Sequence, residues 1–266
     1  MAHTLKRSLK INRLFSGAQR FAFSYSIEEK GSGFDKRIFI KKDGDYISPW
    51  HDIALRESGD AENVFNAVFE ISKYNIAKME CVLEETHNPL KQDTRKNKYT
   101  KEKELRYYAQ FPLFNYGFLP QTWEDPNIKH FGLDYVGDGD PIDIVEIGSD
   151  IKTGDVKKVK VLGSLCLIDQ DEIDWKLVTM GVEAAEEQGI SNLEEFEKAY
   201  PSYLDAVKTW FKFIKTYDGK KPNWFEFDEK VIGLDETLGV INDNHKCWKN
   251  IMDNKDKFAD LWTGNQ

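Results

Sequence analysis

Hydrophobic and polar positions alternate in several short runs, and each run predicts a strand. Residues 36–40 (KRIFI) form the first, followed over 41–45 by a turn with Asp-Gly at its centre. Residues 64–71 (VFNAVFEI) and 77–82 (AKMECV) predict two more. In the second of these, Lys78 and Glu80 share a face, because strand side chains repeat every two residues. Further strands are expected over 142–147, 156–168 and 175–180. The polar stretch 93–104 (DTRKNKYTKEKE) reads as an exposed loop or hairpin tip. The last third changes period. Ser191-Asn192-Leu193-Glu194 reads as a capping box opening a short helix. Pro201 suits the first turn of a second helix, which runs to about residue 215 with Leu204, Val207, Phe211 and Ile214 as its stripe. A last helix, with room for a break, covers 234–258. Short strands followed by helices indicate α+β, expected as a small closed (OB-like) β-barrel with flanking, mostly C-terminal helices.

Composition narrows the function classes. The chain has 266 residues, 40% hydrophobic and 31% charged, with seventeen Phe, eleven Tyr and seven Trp to fill a sizeable core. Trp123, Trp175, Trp210 and Trp248 read as core or interface residues, and His130 and His245 as surface or capping residues. No apolar run approaches the roughly 18–20 residues of a membrane span. A net charge of −9 argues against a protein that coats nucleic acid. It leaves an anionic substrate open, because metal ions can supply positive charge locally. Much of the acid, as in VEAAEEQ at 182–188, reads as solvated surface. Cys81, Cys166 and Cys247 are far apart, which argues for buried reduced thiols over disulfides or structural zinc. No HExxH pair supports a zinc hydrolase.

Residues 1–27 hold no acidic side chain but carry Lys6, Arg7, Lys10, Arg13 and Arg20. Leu5, Leu9, Ile11, Leu14 and Phe15 fall broadly on one side of a helix. This is the composition of a mitochondrial transit peptide; a basic tail or surface arm is the competing reading. The expected organisation is a basic extension over 1–27 and a single catalytic domain over 28–266. The expected compartments are the cytoplasm or the mitochondrial matrix.

The densest chemistry is Asp138-Gly139-Asp140-Pro141-Ile142-Asp143. Gly139 and Pro141 disfavour a plain helix or strand, so the chain turns and three carboxylates can converge. Packed without a counter-ion they would raise each other's pKa. A hard divalent cation resolves this, and Mg²⁺ favours a few carboxylates plus water. The competing reading is an acidic surface turn. An EF-hand is excluded: counted from Asp138, the fifth and sixth positions are Ile142 and Asp143, and counted from Asp134 the third is Val136. A second acidic group, Asp169-Gln170-Asp171-Glu172-Ile173-Asp174, follows the strand ending at residue 168. Two acidic loops facing one cavity would form a two-metal phosphoryl-transfer site.

The segment 138–144 (DGDPIDI) resembles the motif of the family I soluble inorganic pyrophosphatases, and the surrounding blocks resemble the eukaryotic type. These are SPWHDIAL (48–55), NPLKQDT (88–94), FLPQTWEDP (118–126), VGDGDPIDIVEIG (136–148), DEIDWK (171–176) and DGKKPNWFEF (218–227), in the family's order. The resemblance covers about residues 36–252. It implies hydrolysis of inorganic diphosphate, with several Mg²⁺ ions per site, Mn²⁺ or Zn²⁺ as substitutes, and a homodimer. Residue by residue, it implies that Asp138, Asp143 and Asp174 bind the activating metals. Asp140 would be general base beside the attacking water. Glu80 and Asp169 would support metals that arrive with substrate, and Glu70 joins these carboxylates. Lys78, Arg106, Tyr116 and Lys215 would contact phosphate oxygens, with Lys176 completing the polar lining. The loop before Asn115 is shorter than in the eukaryotic type, which leaves Arg95 and Lys98 as alternatives to Arg106. A tyrosine usual in that loop falls here near Pro112. Another gives way to Ile214, so its phenol is either missing from the site or replaced by that of Tyr217. Two rival readings remain: an OB-like binding module stabilised by metal, and a catalytically weakened pyrophosphatase-like scaffold.

Overall fold

Runs of β-branched and aromatic side chains extend because they pack well on a pleated surface and lose rotamer freedom in a helix. A computed structural model of the protein describes residues 25–129 and 132–264, with fourteen strands and four α-helices among them. β1 (Tyr25–Lys30), β2 (Arg37–Lys42) and β3 (Asp45–Ile47) come first, then β4 (Val64–Ile71), β5 (Met79–Cys81) and β6 (Leu90–Gln92). β7 (Thr94–Lys96) and β8 (Lys103–Leu105) form a separate hairpin over the polar 93–104 stretch. β9 (Asn115–Phe118), β10 (Val136–Gly137) and β11 (Asp143–Ile147) precede the long pair β12 (Val156–Asp169) and β13 (Glu172–Gly181). α1 (Val182–Gln188), α2 (Leu193–Ala199) and α3 (Tyr203–Phe213) follow, then β14 (Trp224–Phe225) and α4 (Leu234–Asp253).

The larger sheet closes on itself. β13 pairs with β11, β11 with β9, β9 with β4, β4 with β12, and β12 returns to β13. This is the closed ring expected of an α+β chain, and closure removes the unpaired edges of an open sheet. β12 can pair on both sides because it is 14 residues long and bends. Its register with β13 shifts between Val161 and Gly163. A Cβ at Gly163 would lie 2.6 Å from the Ile232 carbonyl oxygen, so only glycine fits this bulge. A second sheet, in the order β1-β2-β6-β5 with β3 on β2, packs through Ile40, Leu90 and Met79, together with Trp50 from the turn after β3, against Val68, Ile71 and Phe118 of the ring.

Alternation along β13 decides what reaches the site. Ile173, Trp175 and Leu177 join Phe65, Ala67 and Phe69 of β4 and Val240 and Ile241 of α4. The other parity carries Val178 and Met180, which pack with Leu165, Leu167 and, from α3, Val207 and Phe211. Asp174 and Lys176 belong to this second set, and both are buried.

Several expectations are corrected. The second acidic group is a hairpin tip rather than a loop: Asp169 pairs with Glu172 across Gln170 and Asp171, both at positive φ, and Asp174 lies inside β13. The Asp43-Gly44 turn between paired Lys42 and Asp45 is of the same kind, as the sequence predicts. The cap of α2 sits one residue later than expected. Asn192 accepts from the Glu195 backbone N–H, and Glu195 Oε2 accepts from Ser191 N and Oγ at 2.7 Å. Asn caps as well as Ser, and this phase turns Phe196 inward. Pro201 lies outside α3, because Ser202 adopts φ +63 and only Tyr203 begins the helix. VEAAEEQ is a short helix with a mostly exposed surface. The last helix breaks at Asn254, before a 3₁₀ turn over Lys255–Phe258. His245 is partly buried, its ring stacked on Trp248 with centroids 5.4 Å apart. All three cysteines are buried and free. The basic extension lies outside the described residues up to 24, as does His130, whereas Tyr25–Ile27 already belong to β1. Among the described residues no helix is long and apolar enough to cross a membrane.

Two predictions test this frame. In β9, between two ring strands, a Cβ at Gly117 would lie 2.0 Å from the Val68 carbonyl oxygen. Gly117→Ala should lower stability by about 2–3 kcal/mol, a fall of roughly 6–10 °C in Tm by circular dichroism; an unchanged Tm would show that the ring spreads there freely. His51 is buried, accepts from Trp248 Nε1 at Nδ1 (2.8 Å), and its Nε2 lies 3.0 Å from the Trp262 carbonyl oxygen. Burial lowers its pKa to about 4. The folded state therefore binds this proton less readily than the unfolded chain. The resulting stability is present above the ordinary value of about 6.5 and declines as pH falls toward 4, by up to about 3 kcal/mol. His51→Gln should flatten urea-unfolding midpoints over that window relative to wild type, and parallel curves would refute the assignment.

Candidate active site

The 138–140 turn is stitched to a neighbouring loop by backbone bonds. Gly139 N–H donates to the Glu124 carbonyl (2.9 Å), and Glu124 N–H donates to the Asp140 carbonyl (2.8 Å). Trp123 Nε1 donates to the Gly139 carbonyl at 2.7 Å, and Gly139 turns the chain at φ +89. Asp140 N–H donates to Asp138 Oδ1 at 3.0 Å, which orients that carboxylate. From β13, Trp175 N–H donates to Glu124 Oε1 at 3.1 Å. As a result Glu124, Asp138 and Asp174 each bring one carboxylate oxygen within 4.8 Å of the others.

Electrostatics at this cluster are strained. Burial, then Asp138 and Asp174, hold the Glu124 carboxyl well above its ordinary range. Burial, then Asp174 and Asp140, do the same to Asp138. Asp174 is pushed to about 7 by burial, against the pull of Lys176. Asp140 opens to the cavity but is walled by protein, and that loss of solvent, opposed by Lys78, brings it to about 6. Glu124 Oε2 and Asp169 Oδ1 are buried with no hydrogen-bond donor. Unpartnered buried carboxylate oxygens are costly. Hard oxygen donors in this arrangement fit a divalent cation, so the residues present suit the metals the sequence predicts.

Cationic groups interleave with the acids. Lys176 Nζ donates to Asp143, to Asp174 and to the Tyr116 hydroxyl (2.7 Å), and the Tyr116 hydroxyl donates to Asp143. Burial disfavours the Lys176 charge, but Asp143 and Asp174 outweigh it and raise its pKa. Lys78 Nζ contacts Glu80 at 2.6 Å and Asp93 at 3.2 Å. Its pKa is raised because Glu80, Tyr108 and Asp93 overcome its burial. Arg106 pairs with Asp93 at 2.9 Å, and Lys215 with Asp169.

Every sequence-predicted site residue lines one of two adjoining cavities. One, of about 140 Å³, is bounded by Asp138, Asp140, Asp143, Asp169 and Asp174 and by Lys78, Arg106, Tyr116, Lys176 and Lys215. The other, of about 60 Å³, adds Glu70 and Glu80 and shares Lys78, Tyr116, Asp140 and Asp143. Glu70 is buried on β4, accepts from the Cys81 backbone N–H at 2.7 Å, and is pushed well above its ordinary pKa by burial and Asp143. Arg95 and Lys98 line a different, basic cavity, together with Tyr217. Ile214 lines the acidic cavity.

Sequence reasoning missed two residues. Glu124 lies within the quoted FLPQTWEDP block, but its approach depends on backbone bonds to a turn 14 residues away, which no spacing rule describes. Tyr108 lines the acidic cavity two residues beyond Arg106, packs edge-on against Trp210, and has its phenol raised by burial to about 12. The signal was the Tyr107-Tyr108 pair after Arg106, of which Tyr107 is exposed and Tyr108 turns inward.

Comparison with known proteins agrees with this geometry. Residues 67–249 match the family model described as inorganic pyrophosphatase. A relative from Zygosaccharomyces bailii named inorganic pyrophosphatase is 42% identical over 224 residues, covering 82% of this chain and 76% of its own. The mouse protein named inorganic pyrophosphatase 2, mitochondrial, is 41% identical over 259 residues, covering 88% of this chain and 77% of its own. The solved type I inorganic pyrophosphatase of Toxoplasma gondii superposes with a TM-score of 0.78 at 34% identity, covering 86% of this chain and 100% of that one. With most of its length matched in this way and its acidic centre inside the matched span, the chain belongs to the inorganic pyrophosphatases, in family I of the eukaryotic type.

Proposed function

We propose that the protein hydrolyses inorganic diphosphate to two orthophosphates with divalent metals, Mg²⁺ by preference. The convergence of Glu124, Asp138 and Asp174 within 4.8 Å, in a cavity that also presents lysines and an arginine, carries this reading. A highly charged anion can approach so many carboxylates only with cations between them. Bound metal neutralises phosphate charge and acidifies the attacking water. Asp138, Asp143 and Asp174 would hold the activating ions, with Glu124 as an added ligand beside Asp138 and Asp174. Glu70, Glu80 and Asp169 support ions that enter with substrate. Asp140, which opens to the cavity, accepts the proton from water. The water oxygen bonds to one phosphorus, the P–O bond to the bridging oxygen breaks, and its electron pair leaves with the second phosphate. Lys78, Arg106, Tyr116, Lys176 and Lys215 bind phosphate oxygens, and Tyr108 restores a phenol on a wall where Ile214 offers none. The proposed assembly is a homodimer, which light scattering would read as twice the 30.9 kDa chain.

Phosphate release from diphosphate should require Mg²⁺ and stop on chelation. Asp143→Asn should cut kcat by about three orders of magnitude with an unchanged far-ultraviolet spectrum. Absence of turnover at saturating metal in the wild type would overturn the proposal. Glu124→Gln should weaken Mg²⁺ binding by about tenfold in calorimetry. It should also raise the Tm of the chelated protein, because one of three mutually repelling carboxylates is gone. Unaltered metal affinity would remove Glu124 from the ligand set.

A further inference from the structure

A cavity of about 250 Å³ is lined by α4, by the chain that leads into β4 and by Gln121. α4 gives it Leu238, Ile241, Asn242 and His245, the i, i+3, i+4, i+7 stripe of one helix face. Leu55 and Phe65 complete an apolar floor. The polar groups around that floor are few. Arg56 is exposed, donates one N–H to the Glu62 carbonyl (2.8 Å), has its guanidinium carbon 5.7 Å from the Phe65 ring centroid, and makes no ion pair among the described residues. The Glu62 carboxylate is also exposed and has no partner among the described residues. His245 Nδ1 lies 2.6 Å from the Gln121 carbonyl oxygen. A carbonyl only accepts, so Nδ1 carries the proton. Burial lowers the pKa of the ring, and the neutral ring leaves Nε2 as a bare acceptor.

These groups select a ligand class. Arg56 suits an anion, Glu62 a cation, His245 Nε2 a hydrogen-bond donor, and the floor an apolar body. A fatty acid leaves Glu62 and Nε2 unmatched, an alkylamine leaves Arg56 unmatched, and a phosphate ester sets like charge against Glu62. A free hydrophobic α-amino acid carries carboxylate, ammonium and apolar side chain on one carbon. Water takes about 30 Å³ per molecule in the liquid, so the cavity has room for roughly eight waters, about the bulk of leucine or phenylalanine. The cavity also connects to the acidic centre. Gln121 stands at φ +55, accepts from the Leu55 N–H at Oε1 (3.1 Å) and donates from Nε2 to the His51 carbonyl (3.0 Å). Two residues on, Trp123 N–H donates to the Asn244 carbonyl of α4 (3.0 Å), and Glu124 follows beside Asp138 and Asp174. A ligand bonded to both Arg56 and His245 ties together the two walls from which Gln121 hangs. We propose that this cavity binds a free hydrophobic α-amino acid, and that the bound ligand steadies residues 121–124 and tightens metal binding at Glu124. The second half rests on the reading of Glu124 as a metal ligand. By linkage, metal tightens amino-acid binding by the same factor.

Calorimetry on the chelated protein tests the site without metal. L-leucine and L-phenylalanine should bind with a Kd of about 1 mM or below. N-acetyl-leucine and leucine amide, each short of one charge, should bind at least about fivefold more weakly. Arg56→Ala should weaken leucine binding by at least about fivefold. Leu238→Trp, which fills the floor, should abolish it. An unchanged Tm confirms folding of each variant, and Arg56→Ala serves alone if the tryptophan variant does not fold. A second titration follows Mg²⁺ with and without saturating leucine. Mg²⁺ affinity should rise by about fivefold in wild type and stay level in Leu238→Trp. No binding of either amino acid, or binding that ignores both substitutions, overturns the inference. N-acetyl-leucine binding as tightly as leucine also overturns it, because the cavity would then recognise a peptide C-terminus. Leucine binding with unaltered Mg²⁺ affinity overturns the coupling. Absence of Mg²⁺ binding overturns the metal reading of Glu124 instead, and the amino-acid titration still decides the site.

Discussion

Mutual repulsion among buried carboxylates governs this molecule. Glu124, Asp138 and Asp174 would move apart if their backbones could, since burial and proximity both disfavour their charge. Three separate segments prevent it. Asp174 is held inside a strand of the closed ring, Asp138 by its turn, and Glu124 by bonds to both. The ring, its bulge at Gly163 and the close pass at Gly117 supply the rigidity that holds like charges together. Under the proposed function, such preorganisation would let a cation bind without first reshaping its ligands.

Lys176 shows how the same frame handles the opposite sign. Its ammonium sits among Asp143, Asp174 and Tyr116, over the rings of Tyr116 and Phe211. A buried lysine of this kind is tolerable only because two carboxylates offset its desolvation. Lys78 between Glu80 and Asp93, and Lys215 on Asp169, repeat the arrangement. Each of these lysines thus sits beside an opposite charge, and the unpaired positive charge collects next door on Lys96, Lys98 and Lys220.

Much of this was legible in the chain. Alternation found β4 and the core of β12, and the DGDPIDI turn announced an acidic cluster, because such features depend on neighbours close in sequence. What depends on distant partners was not legible. Glu124 gains its role from backbone bonds to residues 139 and 140. Tyr108 faces inward because its strand-like segment docks on the chain at Ile76. The Asn192 cap was missed because Ser and Asn cap a helix about equally well, and the left-handed Ser202 because a positive φ at serine has no local sequence signal.

The parity of β13 has an inheritance of its own. Asp174 and Lys176 reach the cavity because Trp175 and Leu177 point the other way. A one-residue slip would present tryptophan and leucine to the site and bury the charges in the opposite core. In an open sheet such a slip can be absorbed at an edge, but here β13 is clasped by β11 on one side and β12 on the other. Gain or loss of one residue inside this strand would therefore exchange its two faces along the segment that carries Asp174 and Lys176. The connections outside the ring, such as the segment before Asn115, carry no such parity.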